Sequence, residues 1–209
     1  MVLELTPSMV IEVAHSSTKR RYSIREFKAL FGVSPQITAK TWSLMLKDSE
    51  TAKNGIVCTD LLMALHFFKT YTTEDHLSKL FNVTAKTFRE RYKPALFILA
   101  NLNVICFEDC HVPDNKHHKA KISIDGTDCR IQEQSPFDGK WYSHKFKGPA
   151  LRYEIGVCMV TGLVVWVMGG FPAGEYPDLK IYRMGPKYIL EDGEKVIADG
   201  GTRVKRPFG

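Results

Sequence analysis

The sequence predicts an α+β protein, all-helical over residues 1–119 and strand-rich over 120–209. Three observations carry that prediction. A helix-turn-helix-like pattern occurs twice in the first part at an offset of 50 residues. Two Val-rich runs flank Thr161-Gly162 in the second part. Two further apolar runs, Lys121–Ile124 and Lys195–Ala198, each lead into an Asp-Gly pair. The polar, Pro-containing stretch His111-Val-Pro-Asp-Asn-Lys-His-His-Lys119 suits a loop between the parts.

The repeat aligns Phe27 with Leu77, Leu30-Phe-Gly-Val-Ser34 with Leu80-Phe-Asn-Val-Thr84, and Trp42 with Tyr92. Each copy, about 23–46 and 73–93, reads as a short amphipathic helix, a tight turn and a second helix. Gly32 and Asn82 occupy the turn position, where a left-handed backbone is accepted by Gly and tolerated by Asn. Ser34 and Thr84 are natural N-caps, and Pro35 suits a first helical position. The second helix of such a motif commonly enters the DNA major groove. Here it carries Lys86, Arg89, Arg91 and Lys93, the candidate DNA contacts. The same pattern also joins helices in any small bundle; Trp42, Leu44 and Leu46 read as core. Pro94–Phe107 lacks charge and reads as a buried helix closing the bundle.

Strand-like segments then follow: Lys121–Asp125, Cys129-Arg-Ile-Gln132, Trp141–Phe146, about 150–160, about 163–169, and Lys195–Ala198. Pro177–Met184 reads as a short helix. Residues 155–174 carry no charge and match a membrane span in length. Their five glycines and one proline, and Thr161-Gly162 at the centre, argue instead for a buried hairpin.

Composition is that of a soluble globular chain, 44% apolar and 25% charged. The net charge of +6 makes it mildly basic. Its cations gather at Lys19-Arg20-Arg21, at Lys140, Lys145, Lys147 and Arg152, and at Arg203, Lys205 and Arg206; each cluster reads as a solvated face or a phosphate contact. Five cysteines at irregular spacing point to free thiols in a reducing compartment. The N-terminus lacks the basic start of a signal peptide.

Asp125 and Asp199 carry the chemistry. A carboxylate at a strand end, followed by glycine, is held at a cleft and can bind a divalent metal. Magnesium takes one or two protein carboxylates plus substrate phosphate. Two such ions activate water or a 3′-hydroxyl against a phosphodiester. Gly126 and Gly200-Gly201 would let a nucleic-acid backbone come close. Asp-Gly is equally an ordinary turn dipeptide, the reading given to Asp138-Gly139 and Asp192-Gly193. Asp128 is a weaker alternative to Asp125, expected past the strand end. Cys106, Cys110, His111, His117 and His118 fit no standard zinc spacing. No Walker loop, nucleophile elbow or dinucleotide fingerprint occurs.

Ile122-Ser-Ile-Asp-Gly-Thr-Asp-Cys-Arg-Ile131, Lys140-Trp-Tyr-Ser-His-Lys-Phe-Lys-Gly-Pro149, Arg152-Tyr-Glu-Ile-Gly-Val157 and Gly193–Gly201 together resemble PIF/Harbinger-like DDE transposases. The upstream Leu-Phe-Asn-Val-Thr motif is similar to the one preceding their catalytic domain. The resemblance implies a ribonuclease H-like α/β domain with a mixed sheet. It implies Mg2+ or Mn2+ as cofactor, Asp125 and Asp199 as catalytic metal ligands, and Lys145 and Lys147 along the DNA. It further implies double-stranded DNA (transposon ends) as partner, a nuclear location, and room for a homo-oligomer. Outside that resemblance a cytoplasmic location is expected, and no membrane association. The chain departs from the pattern at Thr202, where the family continues Gly-Gly-Tyr. Ten residues follow Asp199, and the family's third acid has no counterpart. The domain is therefore expected to be incomplete, binding metal weakly and cleaving little or nothing. The rival expectation is a non-enzymatic helix-turn-helix DNA-binding protein.

Overall fold

A computed structural model describes residues 4–111 and 120–198. The chain divides into two compact units, Met1–Asn103 and Val104–Gly209.

The first unit is helical: α1 (Pro7–Thr18), α2 (Ile24–Phe31), α3 (Pro35–Met45), α4 (Ser49–Lys53), α5 (Cys58–Thr70), α6 (Glu74–Leu80) and α7 (Ala85–Ala100). Its caps follow the sequence. Ser34 accepts from the Ile37 amide, with Pro35 in the first turn of α3, and Thr84 accepts from the Thr87 amide. Gly32 (φ 82°) and Asn82 (φ 53°) take the left-handed turn positions. Ser23 and Glu26 form a reciprocal capping box at the start of α2. One core gathers Val10, Phe27, Phe31, Trp42, Met45, Leu61, Leu62, Leu77, Phe88 and Tyr92. Phe67 stacks on Tyr92 at 4.8 Å between ring centres, and Phe88 lies 5.0 Å from Tyr92.

The expected closing helix at 94–107 differs. Its first part is the end of α7, which runs through Pro94 and stops at Ala100. Within α7, Ala95 and Ile98 are buried in the core as expected, while Phe97 is 67% exposed.

The second unit is built on β1 (Ala120–Arg130), β2 (Tyr142–Ser143), β3 (Gly148–Cys158), β4 (Val164–Pro172) and β5 (Lys195–Ala198). Short helices α8 (Asp178–Met184) and α9 (Pro186–Ile189) precede β5. The sheet is mixed. β3 runs antiparallel to β1, β2 and β4, while β5 runs parallel to β1. The expected hairpin is present, with Gly162 at φ 69° in its turn, but it is not buried throughout, since Leu163 is 53% and Val164 43% exposed. Trp141–Phe146 contributes only two strand residues. A turn of 3-10 helix occupies Gly139–Trp141, its start held by the Asp138 carboxylate.

The boundary between the units falls before the polar stretch 111–119. Phe107 and Cys110 belong to the second unit's core with Ile122, Ile124, Cys158 and Val165. With the coarse α+β reading goes one clear negative: no described helix is long and apolar enough to cross a membrane.

Candidate functional site

Strand β1 decides where each acid goes. It does not end at Asp125 but continues to Arg130, so Asp125 and Asp128 both sit inside the strand. Side chains alternate across a strand. Ile122, Ile124, Gly126 and Asp128 therefore share one face, and Ser123, Asp125, Thr127 and Cys129 the other. The burial pattern agrees, with Ile122, Ile124 and Asp128 buried and Asp125 and Cys129 exposed.

The first face is covered by α8. A Cβ at position 126 would overlap the Asp178 carboxylate, so glycine there admits the start of α8 to the sheet. Gly126 is thus a strand residue whose close approach is to the start of α8, not to the nucleic-acid backbone its sequence suggested. Asp128, expected past the strand end, is 6% exposed and bound on both oxygens. Arg152 Nε donates to its Oδ1 at 2.7 Å, and Arg152 Nη2 and Ser143 Oγ donate to Oδ2 at 2.9 and 2.5 Å. The pairing follows from register, since Asp128 lies opposite Arg152. The guanidinium holds the Asp128 carboxyl below the usual carboxylate range.

Glu154, opposite Gly126 on the same face, is 1% exposed. Trp166 Nε1 donates to its Oε1 at 3.2 Å, while Oε2 has no hydrogen-bond partner among the described residues. Burial, with a smaller contribution from the Asp178 charge, pushes this carboxyl up to about 7. Sequence reading missed Glu154. The signal was present as an acid at an inward position of the alternating run Leu151–Cys158.

The second face is open around Asp125. Asp125 has no hydrogen-bond or ion-pair partner among the described residues, Lys145 and Lys147 included. Its cross-strand partner is Ile155, which in turn pairs with Val167. Val167 is 43% exposed and Ile197, opposite Ser123, is 46% exposed. In the parallel pairing of β1 with β5, Ile124 lies opposite Ala198. Asp125 and Asp199 are the residues that follow those two in sequence; Asp199 lies outside the described residues. An exposed, uncommitted carboxylate is a hard oxygen donor of the kind magnesium or manganese takes, so Asp125 fits the implied ion. Asp128, held by Arg152 and Ser143, does not. Among the described residues no group of three or more His, Cys, Asp or Glu side chains could hold a metal ion. Cys106, Cys110 and His111 form no such group; His117 and His118 lie outside the described residues.

Lys145 and Lys147 are exposed on the β2–β3 connection, with Lys147 at φ 52°. The four cations of α7 divide. Lys86 and Lys93 are exposed, with Lys86 Nζ 3.9 Å from Glu90. Arg89 is paired with Glu74, which also accepts from the Tyr92 hydroxyl at 3.0 Å. Arg91 Nε donates at 2.6 Å to Asp60, a 4%-exposed acid that also accepts from the Val57 amide. Two of the four are therefore tied into the bundle. Among the described members of the other clusters, Lys140 pairs with Asp138 at 2.8 Å and Arg152 with Asp128.

The fold and site define an α+β chain with a mixed five-stranded sheet and, among the described residues, one acid without a partner on its parallel strand pair. Compared with protein-family models, curated proteins and solved structures, the chain matches none.

Proposed function

We propose that the chain is a transposase-derived DNA-binding protein whose second unit carries the remnant of a two-metal phosphodiester-cleavage site. The observation that carries this reading is the parallel register of β1 and β5 up to Ile124 and Ala198. Asp125 follows Ile124 and Asp199 follows Ala198 in sequence, Asp199 itself lying outside the described residues. The strand order supports a ribonuclease H-like arrangement. An antiparallel set β4–β3–β1 is extended by β5, parallel to β1, after intervening helices. In this reading Asp125 and Asp199 hold Mg2+ or Mn2+. The ion, when bound, activates a water or 3′-hydroxyl and stabilises the leaving oxygen. The protein's own part is to hold one carboxylate free of cations on an open face, while Arg152 keeps Asp128 out of that role.

The expectation for this polypeptide is weak metal binding and little or no cleavage. Manganese titration of the full chain, followed by calorimetry, tests it. Binding weakened about tenfold or more in Asp125→Ala supports the site; unchanged binding in that variant ends the proposal. Nicking of plasmid DNA that needs magnesium and vanishes in Asp125→Ala would show that two acids suffice.

A second reading, a non-enzymatic helix-turn-helix DNA-binding protein, is favoured by the α6–α7 geometry, with Asn82 left-handed and Thr84 capping. It expects salt-sensitive duplex binding that neither chelation nor Asp125→Ala alters.

A further inference from the structure

The stretch from Lys19 to Lys28 holds five cations and one acid in ten residues. Lys19, Arg20, Arg21, Arg25 and Lys28 are all exposed, and none forms an ion pair among the described residues. The contrast with α7 is direct, since Arg89 and Arg91 there are paired with Glu74 and Asp60. The single acid, Glu26, is occupied: the Ser23 amide and hydroxyl donate to its Oε2 at 2.8 and 2.6 Å.

The fold gives this stretch a shape. Lys19 ends α1 in a left-handed conformation (φ 59°), turning the chain towards α2. Arg20, Arg21, Tyr22, Glu26, Ala29 and Leu30 then line a groove of about 350 Å³. Tyr22 is a fixed wall. Its hydroxyl is 2.7 Å from Thr18 Oγ1, and its ring meets Phe31 edge-on at 6.1 Å. Two arginines beside an anchored aromatic ring, in no ion pair among the described residues and with Glu26, capped by Ser23, as the one carboxylate of the groove, suit a phosphodiester backbone. Guanidinium groups donate in pairs to phosphate oxygens.

We infer that the groove at the α1–α2 junction, lined by Arg20 and Arg21, together with exposed Arg25 on α2, is the principal phosphate-contacting surface of the first unit and binds duplex DNA. This rests on the DNA-binding reading above. It moves the main electrostatic contact from α7, where the sequence pattern put it, to α2 and the turn before it.

The test is a salt titration of full-chain binding to a labelled mixed-sequence duplex, read by fluorescence anisotropy. Each phosphate neutralised contributes about 0.9 to the slope of log K against log salt. Arg20→Gln/Arg21→Gln/Arg25→Gln is expected to reduce that slope by about 2–3. Lys86→Gln/Lys93→Gln is expected to reduce it by about 1 or less. Unchanged binding in the triple variant, or a larger loss in the α7 pair, overturns the inference while leaving DNA binding intact. No salt-sensitive binding by the unaltered chain instead removes the DNA-binding reading. Circular dichroism of both variants checks the fold; all five substituted side chains are exposed. If the triple variant unfolds, Arg20→Lys/Arg21→Lys decides. It keeps the charge but not the paired donors, so a preserved slope with weaker binding supports the groove, and unchanged affinity counts against it.

Discussion

Asp125 and Asp128 lie three residues apart on one strand and have opposite fates. On the covered face Asp128 meets Arg152, Ser143 and the start of α8 nearby. On the open face Asp125 meets none of them. The difference teaches that residue type and local spacing do not separate a ligand from a structural ion pair. Strand parity does, together with what packs on each face. An acid under a helix must be compensated, because an unpaired buried charge is strongly unfavourable. An acid on an open face has no such need and keeps its oxygens for something else.

The largest expected effect breaks the covered side. Asp128→Ala leaves the Arg152 guanidinium, 18% exposed, without its main partner. Removing one member of a buried pair costs about 3–5 kcal/mol. Arg152 Nη1 lies 3.6 Å from Asp178, which offsets part of that loss. Urea unfolding followed through Trp141 and Trp166, both in the second unit, is the measurement. A loss under about 1 kcal/mol would mean the pair holds less than its geometry suggests.

A second effect of about 3 kcal/mol, from the linkage between pKa and stability, sits at Glu154. Its carboxyl is raised from 4.5 to about 7 by burial. The folded state therefore holds a proton that the unfolded state releases at lower pH. The stabilisation is complete below pH 4.5, falls as pH rises, and is gone above about 7. Glu154→Gln keeps an acceptor for Trp166 and has no charge to bury. Its unfolding free energy should lose this fall with rising pH and exceed the unaltered protein's above pH 7. Equal slopes in the two proteins would place the proton elsewhere.

What the sequence made legible was local. Lys195–Ala198 is a strand as read, Pro177–Met184 holds a helix, and Ser34, Thr84, Gly32 and Asn82 do the capping and turning expected of them. Each depends on a residue's own backbone preference or on partners three or four positions away. What was not legible depends on distant chain. Gly126 reads as room for a nucleic-acid backbone because nothing nearby says that Asp178 will come against it. Arg91 looked like a DNA contact because Asp60, its partner, lies 31 residues upstream. Asp128 reads as past the strand end because an Asp-Gly pair is an ordinary place for a strand to stop. Continued alternation through Thr127 and Cys129 was the overlooked sign. Of the two acids favoured by motif, the fold places Asp125 alone within the described residues.

The smallest effect is the sharpest test of the comparison, because it is an expected near-zero. Asp125 is exposed and makes no hydrogen bond or ion pair among the described residues. Asp125→Ala should change stability by no more than about 0.5 kcal/mol in either direction without metal, as surface substitutions do. With manganese present the two proteins should part. A ligand that binds only the folded state stabilises it by RT ln(1 + [L]/Kd), so the unaltered chain should gain stability with metal concentration and Asp125→Ala should not. Thermal melts with and without manganese read both halves in one experiment. A large loss without metal would give Asp125 a structural partner and return it to the class of Asp128. An equal metal response in both proteins would leave the open face uncovered for some reason other than a cation.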